Sequence, residues 1–266
     1  MTANSILERV AETRSTNDDL LERWRAGQLI DPIARLAHKQ TAGKGRAGRT
    51  WLANPEDSLC FSLAFPFKRS PAELTGLSLL VGLATISGIA QACGLDEEAL
   101  YQKGIRLKWP NDLLLNGAKL GGILIEGGQT KPSDPSWMII GVGLNLCNAN
   151  AIEASLSNLN NLKIGSLDQI LQAPSKIPDM EYLWLKIVSA LERRLNEFDR
   201  HGFILFEEQW KKWDAYQDQA VCISDTGKDS LYGVAKGIDH TGALLLQQEN
   251  KTITIHAGDV SLRVQS

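Results

Sequence analysis

From Leu74 to Leu95 the chain runs for 22 residues without a charged side chain. That is long enough to cross a bilayer. Thr75, Ser78, Thr85, Ser87 and Gln91 interrupt the run, however, and Gly76, Gly82 and Gly88 lie inside it. A helix buried on a sheet is therefore expected over 72–93, and no membrane partner. The rest of the chain can supply the burial. At 266 residues, 43% hydrophobic and 22% charged, it matches an ordinary globular protein able to build a core without staples.

Around that helix the pattern changes repeatedly. Residues 15–26 read as a short helix that Ser15, Thr16 or Asn17 can cap, with Asp18 and Asp19 at its positive end and Gly27 as its stop. Strands are expected at 33–39, at 58–65 (ended by Pro66), and at 105–115, 119–126 and 137–147. Asn116-Gly117 is the strongest hairpin signal in the chain. Residues 148–178 are rich in Asn, Ser and Pro and read as connecting loops. Apolar residues at helical spacing predict an amphipathic helix over 182–198, with another over 203–213. Beyond Ala220 five short strands follow (220–223, 231–238, 243–248, 251–255, 259–264), separated by turns at 225–227, 240–242 and 257–259. Five strands in so short a stretch suggest a small barrel of the SH3 type. A boundary near Gln217 is expected.

Charge and the reactive side chains exclude several functions. Against 28 Lys and Arg stand 31 Asp and Glu, a net charge of -3, so the chain lacks the basic field of a general DNA coat. Cys60, Cys93, Cys147 and Cys222 form no C-x-x-C pair and read as reduced, buried thiols. The four histidines are scattered, and no metal site is expected. Glu8, Arg9, Glu12 and Arg14 break any signal-peptide core, which points to a cytoplasmic enzyme or binding protein.

Three segments carry chemistry. Gly43-Lys44-Gly45-Arg46-Ala47-Gly48 fits G-x-G-x-x-G, but a dinucleotide fingerprint must open a helix, and Arg49-Thr50-Trp51-Leu52-Ala53-Asn54-Pro55 does not read as one. A P-loop would need Lys where Arg49 stands. The loop's physics is informative without either label. Its glycines free the backbone, Lys44, Arg46 and Arg49 concentrate positive charge, and Trp51 offers an aromatic surface. Such a loop would be self-repelling when empty and should order around a phosphate or carboxylate; alone, it also fits a solvated flexible loop. In the second segment, Lys108, Asn111 and Asp112 interrupt an apolar strand, where polar groups need partners; a kink at Pro110 would equally account for them. Lys119 starts a largely apolar strand near the same hairpin end. In the third, Gly141-Val142-Gly143-Leu144-Asn145, glycines permit close approach of a ligand, or a simple bulge.

Taken together and in order, these segments resemble the biotin protein ligase (biotin–[acetyl-CoA-carboxylase] ligase) family. The matching pieces are Ser15-Thr16-Asn17, Gln40 to Trp51, Lys108-Trp109-Pro110-Asn111-Asp112, Lys119 to Glu126 and Gly141 to Asn145. The tail from Gly237 to Arg263 resembles the family's C-terminal barrel. The resemblance implies an α/β (α+β) fold. Residues 1–217 would form a catalytic domain with a mixed β-sheet packed by helices, and 218–266 a small SH3-like barrel. It implies ATP-dependent activation of biotin to biotinyl-5′-AMP, with Mg2+, and transfer to a lysine of an acceptor such as the biotin carboxyl carrier protein. The resemblance implies that Lys119, Arg46 and Asp112 are catalytic, with Asp112 positioning, or accepting a proton from, the incoming lysine. Biotin would be met by Ser15, Thr16, Asn17, Gln40, Gly43, Lys44, Gly45, Arg46, Lys119, Gly122 and Gly141. ATP would be met by Arg46, Arg49, Trp51, Asn111, Lys119 and Asn145.

Some family members carry an N-terminal DNA-binding module; with 14 residues ahead of Ser15, the ligase-only form and no DNA partner are expected. Lys44 stands where some relatives have Arg, keeping the charge but losing the fork. Family members are often dimers, so a homodimer is among the expectations. A lipoate–protein ligase and a non-catalytic RNA-binding protein are the competing functions.

Overall fold

The computed structural model describes residues 5–155, 163–171, 177–224, 230–249, 251–256 and 261–264. Its main layer is a seven-stranded mixed sheet: β1 (Ile6–Thr13), β2 (Ile33–Gln40), β3 (Ser58–Phe67), β4 (Ile105–Lys108), β5 (Asp112–Leu115), β6 (Ala118–Gly128) and β7 (Ser136–Asn145). The spatial order is β1-β2-β3-β7-β6-β5-β4, with β1 and β2 parallel and every other neighbouring pair antiparallel. Helix α1 (Thr16–Arg25) buries Leu20 and Leu21 with Trp137 and Ile139 of β7.

The uncharged run becomes α2 (Leu77–Cys93), which packs on the sheet beside α6 (Met180–His201). It has no solvent face to charge: its residues from Leu79 to Ala90 are all buried. Two of its glycines are there for close packing. A Cβ on Gly88 would stand 2.5 Å from the Ile187 Cα, and one on Gly82 would stand 2.9 Å from Leu107. The helix starts later than expected: Pro71–Glu73 is a separate 3-10 turn, and Gly76, at φ +78°, breaks the path before Leu77. Helix α3 (Glu97–Gln102) follows it.

Three further differences have simple causes. Strand β1 is not visible in the hydrophobic pattern because it is an exposed edge held by charge. Glu8 bridges Arg23 and Arg35 at 2.7 Å each, and Arg35 also reaches Asp19 at 2.8 Å. The strand expected over 105–115 is two strands, β4 and β5, folded on each other through Trp109-Pro110-Asn111, whose Trp109–Pro110 peptide is cis. Pro66 does not end β3, which runs to Phe67: the β2 pairing stops at Ala64, but the β7 pairing continues past the proline to Phe67. At Asn116 (φ +48°) and Gly117 (φ +81°) the expected two-residue hairpin is present.

Within 148–178, expected to be loops, two short helices form: α4 (Ala149–Ser155) and α5 (Asp168–Leu171). Residues 156–162 and 172–176 of that stretch lie outside the described residues. The helix expected over 203–213 is a 3-10 turn, Phe203–Phe206, running into α7 (Glu207–Trp213). Five strands then form one antiparallel sheet: β8 (Ala220–Ser224), β9 (Leu231–Ile238), β10 (Leu244–Gln248), β11 (Lys251–Ile255) and β12 (Ser261–Val264), in the order β11-β10-β9-β8-β12. The turns expected at 225–227 and 257–259 lie outside the described residues. Among the described residues no helix is long and apolar enough to cross a membrane.

Between α7 and β8, Asp214 pairs with Leu107 at the sheet edge. Its Oδ1 accepts the Tyr216 N–H at 2.9 Å, and its buried Oδ2 has no partner. Burial pushes this carboxyl up to about 6. A raised carboxyl favours the fold at low pH, and that advantage is lost as pH rises through the folded value. Asp214→Asn should therefore raise the melting temperature at pH 8 by roughly 4–8 °C, a gain of about 2 kcal/mol, and change it little at pH 4. Equal shifts at both pH values in a thermal scan would contradict this.

Candidate active site

One cavity of about 990 Å³ opens over the middle of the large sheet. Its floor consists of the glycines of β6 and β7. Gly122 pairs with Gly143, and Leu124 with Gly141. A Cβ on Gly143 would stand 2.5 Å from the Trp51 ring, and one on Gly141 would stand 2.4 Å from the Asn17 Oδ1. Glycine here is the condition for anything to lie against the backbone.

One end of the cavity is a row of buried polar groups. Ser15 caps α1, which turns Thr16 and Asn17 inward. Gln40 Oε1 accepts from the Thr16 N–H (2.8 Å) and faces the Thr16 hydroxyl (3.1 Å). That hydroxyl is 2.7 Å from the Ser62 Oγ, which donates to Asn17 Oδ1 at 2.6 Å, and Asn17 Nδ2 donates to Glu126. Thr16 has a single hydroxyl proton for two acceptors, Gln40 and Ser62, so the row has acceptor capacity to spare for a ligand's N–H donors.

The opposite end is cationic. Lys119 Nζ lies 2.7 Å from Asp112 Oδ1, and Lys108 lies 3.8 Å from the other oxygen. Burial alone would raise the Asp112 carboxyl, but Lys119 and Lys108 outweigh it and hold Asp112 below the ordinary carboxylate value. Asn111 is fixed by donating to the Ile123 carbonyl (2.9 Å) and accepts from Arg46 at 3.2 Å. Lys119 Nζ stands 5.8 Å from the centre of the Trp51 ring, over the glycine floor.

Residues 43–51 form a small closed hairpin across the mouth. Trp51 N–H donates to the Gly43 carbonyl (2.9 Å), Gly45 N–H donates to that of Arg49 (2.7 Å), and Arg46–Gly48 make the tip. Its cations are not left to repel one another, because acceptors separate them. Lys44 pairs with Asp18 at 2.6 Å, Arg46 reaches Asn111, and Arg49 Nε donates to the Arg46 carbonyl at 3.1 Å.

All the expected contact residues line this cavity except Gly43. A Cβ on Gly43 would stand 2.5 Å from the Trp51 carbonyl, so its role is to let the hairpin close. Asn145 lines the cavity, but its Nδ2 is committed to the carbonyls of Lys119 (3.1 Å) and Gly165 (3.2 Å). It clamps residues 163–165 beside the start of β6. The expectations missed Ser62, Cys60, Lys163, Ile164 and Tyr216, all of which line the cavity. Ser62 carried a signal, a hydroxyl inside an apolar strand; the others meet the site only through tertiary contacts. Cys60 is buried, and its thiol is pushed up to about 12 by burial, so it is no nucleophile. Among the described residues no three His, Cys, Asp or Glu side chains gather into a metal site.

A polar head row, a glycine floor and a cationic end beneath a basic hairpin suit an extended ligand with a polar head and an anionic end. Residues 10–145 match the model of the biotin/lipoate A/B protein ligase family, and 218–263 match the biotin protein ligase C terminal domain. The bifunctional ligase/repressor BirA of Salmonella typhimurium is 33% identical over 249 residues, covering 94% of this chain and 72% of that one. The biotin--[acetyl-CoA-carboxylase] ligase of Mycobacterium tuberculosis is 31% identical, covering 96% of this chain and 88% of that one. The fold is shared with the biotin protein ligase of Aquifex aeolicus solved with biotin and ATP, at a TM-score of 0.77 and 24% identity over 98% of this chain and 100% of that one. The chain belongs to the biotin/lipoate A/B protein ligase family, and it carries that family's biotin-type C-terminal domain.

Proposed function

We propose that the chain activates biotin with MgATP to biotinyl-5′-AMP and transfers the biotinyl group to a lysine of an acceptor, the biotin carboxyl carrier protein of acetyl-CoA carboxylase. The observation that carries this is the pairing, in one cavity, of a buried polar row with the Lys119–Asp112–Arg46 end. The row suits the ureido ring of biotin, which has N–H donors and a carbonyl; lipoate has no such head. Leaving a buried ureido group unpaired would cost about 1–3 kcal/mol. The family's biotin-type C-terminal domain favours the same choice.

In the first step the biotin carboxylate oxygen attacks the α-phosphorus, and the bond to the leaving pyrophosphate breaks. Two anions must meet. Lys119 stabilises the charge where they join, and Arg46, closing from the hairpin, shares it. Trp51, Arg49 and Asn111 flank the nucleotide, and magnesium enters with ATP as its complex. In the second step the acceptor's neutral amine attacks the anhydride carbonyl, the bond to AMP breaks and AMP leaves, and the amine's proton passes to water. Asp112, held ionised, draws in and orients the lysine; its lowered value makes it a better anchor than base. The site works in the cytoplasm, where ATP and the acceptor are found.

The test offers biotin or lipoate, with ATP and a carrier domain. Labelling by biotin is expected, and labelling by lipoate alone would refute the reading. Arg46→Gly removes the side chain bonded to Asn111 across the mouth. It should release adenylate into solution and label bystander lysines several-fold above the wild type. Labelling confined to the acceptor would count against a retaining role for Arg46.

A further inference from the structure

Trp109 is fully buried, and its indole N–H donates to the Gly242 carbonyl at 3.0 Å, across 133 residues of sequence. Gly242 lies in the β9–β10 turn, which its own bonds make rigid. Asp239 Oδ1 accepts from the Thr241 N–H (2.8 Å), the Thr241 hydroxyl (2.6 Å) and the Ala243 N–H (3.1 Å). The turn is seated with little slack: Gly242 has φ +82°, and a Cβ on it would stand 2.7 Å from the Gly76 Cα at the start of α2. On the other side of Trp109, the Pro110 carbonyl accepts from the Ser78 hydroxyl at 3.0 Å. Next come Asn111 and Asp112, the partners of Arg46 and Lys119.

The segment that presents the cationic end is thus held from behind by a carbonyl of the C-terminal sheet. The polar row at the other end is built on α1, β2, β3 and β6, its hydrogen bonds running among Thr16, Asn17, Gln40, Ser62 and Glu126. We propose that the Asp239–Gly242 turn is a positioning element of the adenylation step, acting through Trp109 on Asn111 and Asp112. Trp109 and Asp239 are then positioning residues for ATP, not for biotin. The inference rests on the ligase reading and adds to it a function for the C-terminal sheet.

Trp109→Phe keeps an aromatic side chain, though a smaller one, and deletes the donor. It should raise the KM for ATP and lower kcat for pyrophosphate release, together by roughly tenfold in kcat/KM. The biotin dissociation constant, measured without ATP, should stay within twofold. A purely structural role would lower the active fraction and the melting temperature and leave the KM for ATP alone. Asp239→Ala loosens the same turn from outside the catalytic sheet and serves if Trp109→Phe does not fold. It should show the same split, and the double variant should be no worse than Trp109→Phe. If the wild type makes no adenylate, the ligase reading falls. If the wild type is active and both single variants match it, or lose biotin affinity by the same factor as ATP, the coupling alone is overturned.

Discussion

Lys119→Ala is expected to abolish adenylate formation, lowering kcat for pyrophosphate release by about a hundredfold to a thousandfold, the range found when one preorganised charge-stabilising group is removed. The Lys119 side chain is about three-quarters buried and lines the cavity, and its Nζ lies 2.7 Å from Asp112. Lys108 also meets this carboxylate, but at 3.8 Å and on its other oxygen. Lys108 does limit the structural damage, since Asp112 keeps one cation and the stability loss should stay below the roughly 3–5 kcal/mol typical of leaving a buried charge unpaired. The far-ultraviolet spectrum should be unchanged. Biotin should still bind, because its head row does not involve Lys119. A pyrophosphate-release assay with near-normal rates would show that the reacting charge is stabilised elsewhere.

Gly143→Val should be as damaging by a different route. Even the Cβ would stand 2.5 Å from the Trp51 ring. The branched side chain would push the Trp51 ring off the β6–β7 floor and occupy the space above it. Valine suits a central strand, and Gly143 sits between Cys60 and Gly122 in one, so the sheet should hold. Affinity for the adenylate should fall by about a hundredfold or more, some 2.7 kcal/mol, with the melting temperature within a few degrees of the wild type. Calorimetry with a non-hydrolysable adenylate analogue measures this directly. Unchanged affinity would mean that the ligand does not lie on the glycine floor.

The reacting end of this site was legible because it breaks local rules. Lys108, Asn111, Asp112 and Lys119 are polar groups in apolar strands, and Gly141 and Gly143 weaken a strand that hydrophobicity alone would strengthen. The uncharged run declared a buried helix for the same reason. What stayed hidden depends on partners distant in sequence. Strand β1 is held by Arg23 and Arg35 and not by its own pattern. The hairpin at 43–51 reads as a string of repelling cations until Asp18 and Asn111 are placed beside it. Asn145 carries a ligand-like motif, yet spends its amide on two backbone carbonyls. Tyr216 and Trp109 gain their meaning only when the C-terminal sheet docks.

The most direct measurement is a single turnover without acceptor. Protein is mixed with one equivalent each of biotin and MgATP, and its bound small molecules are read by mass spectrometry. One biotinyl-5′-AMP per site, with one pyrophosphate released, is the expected result; intact biotin and ATP recovered from a protein that binds both would contradict it.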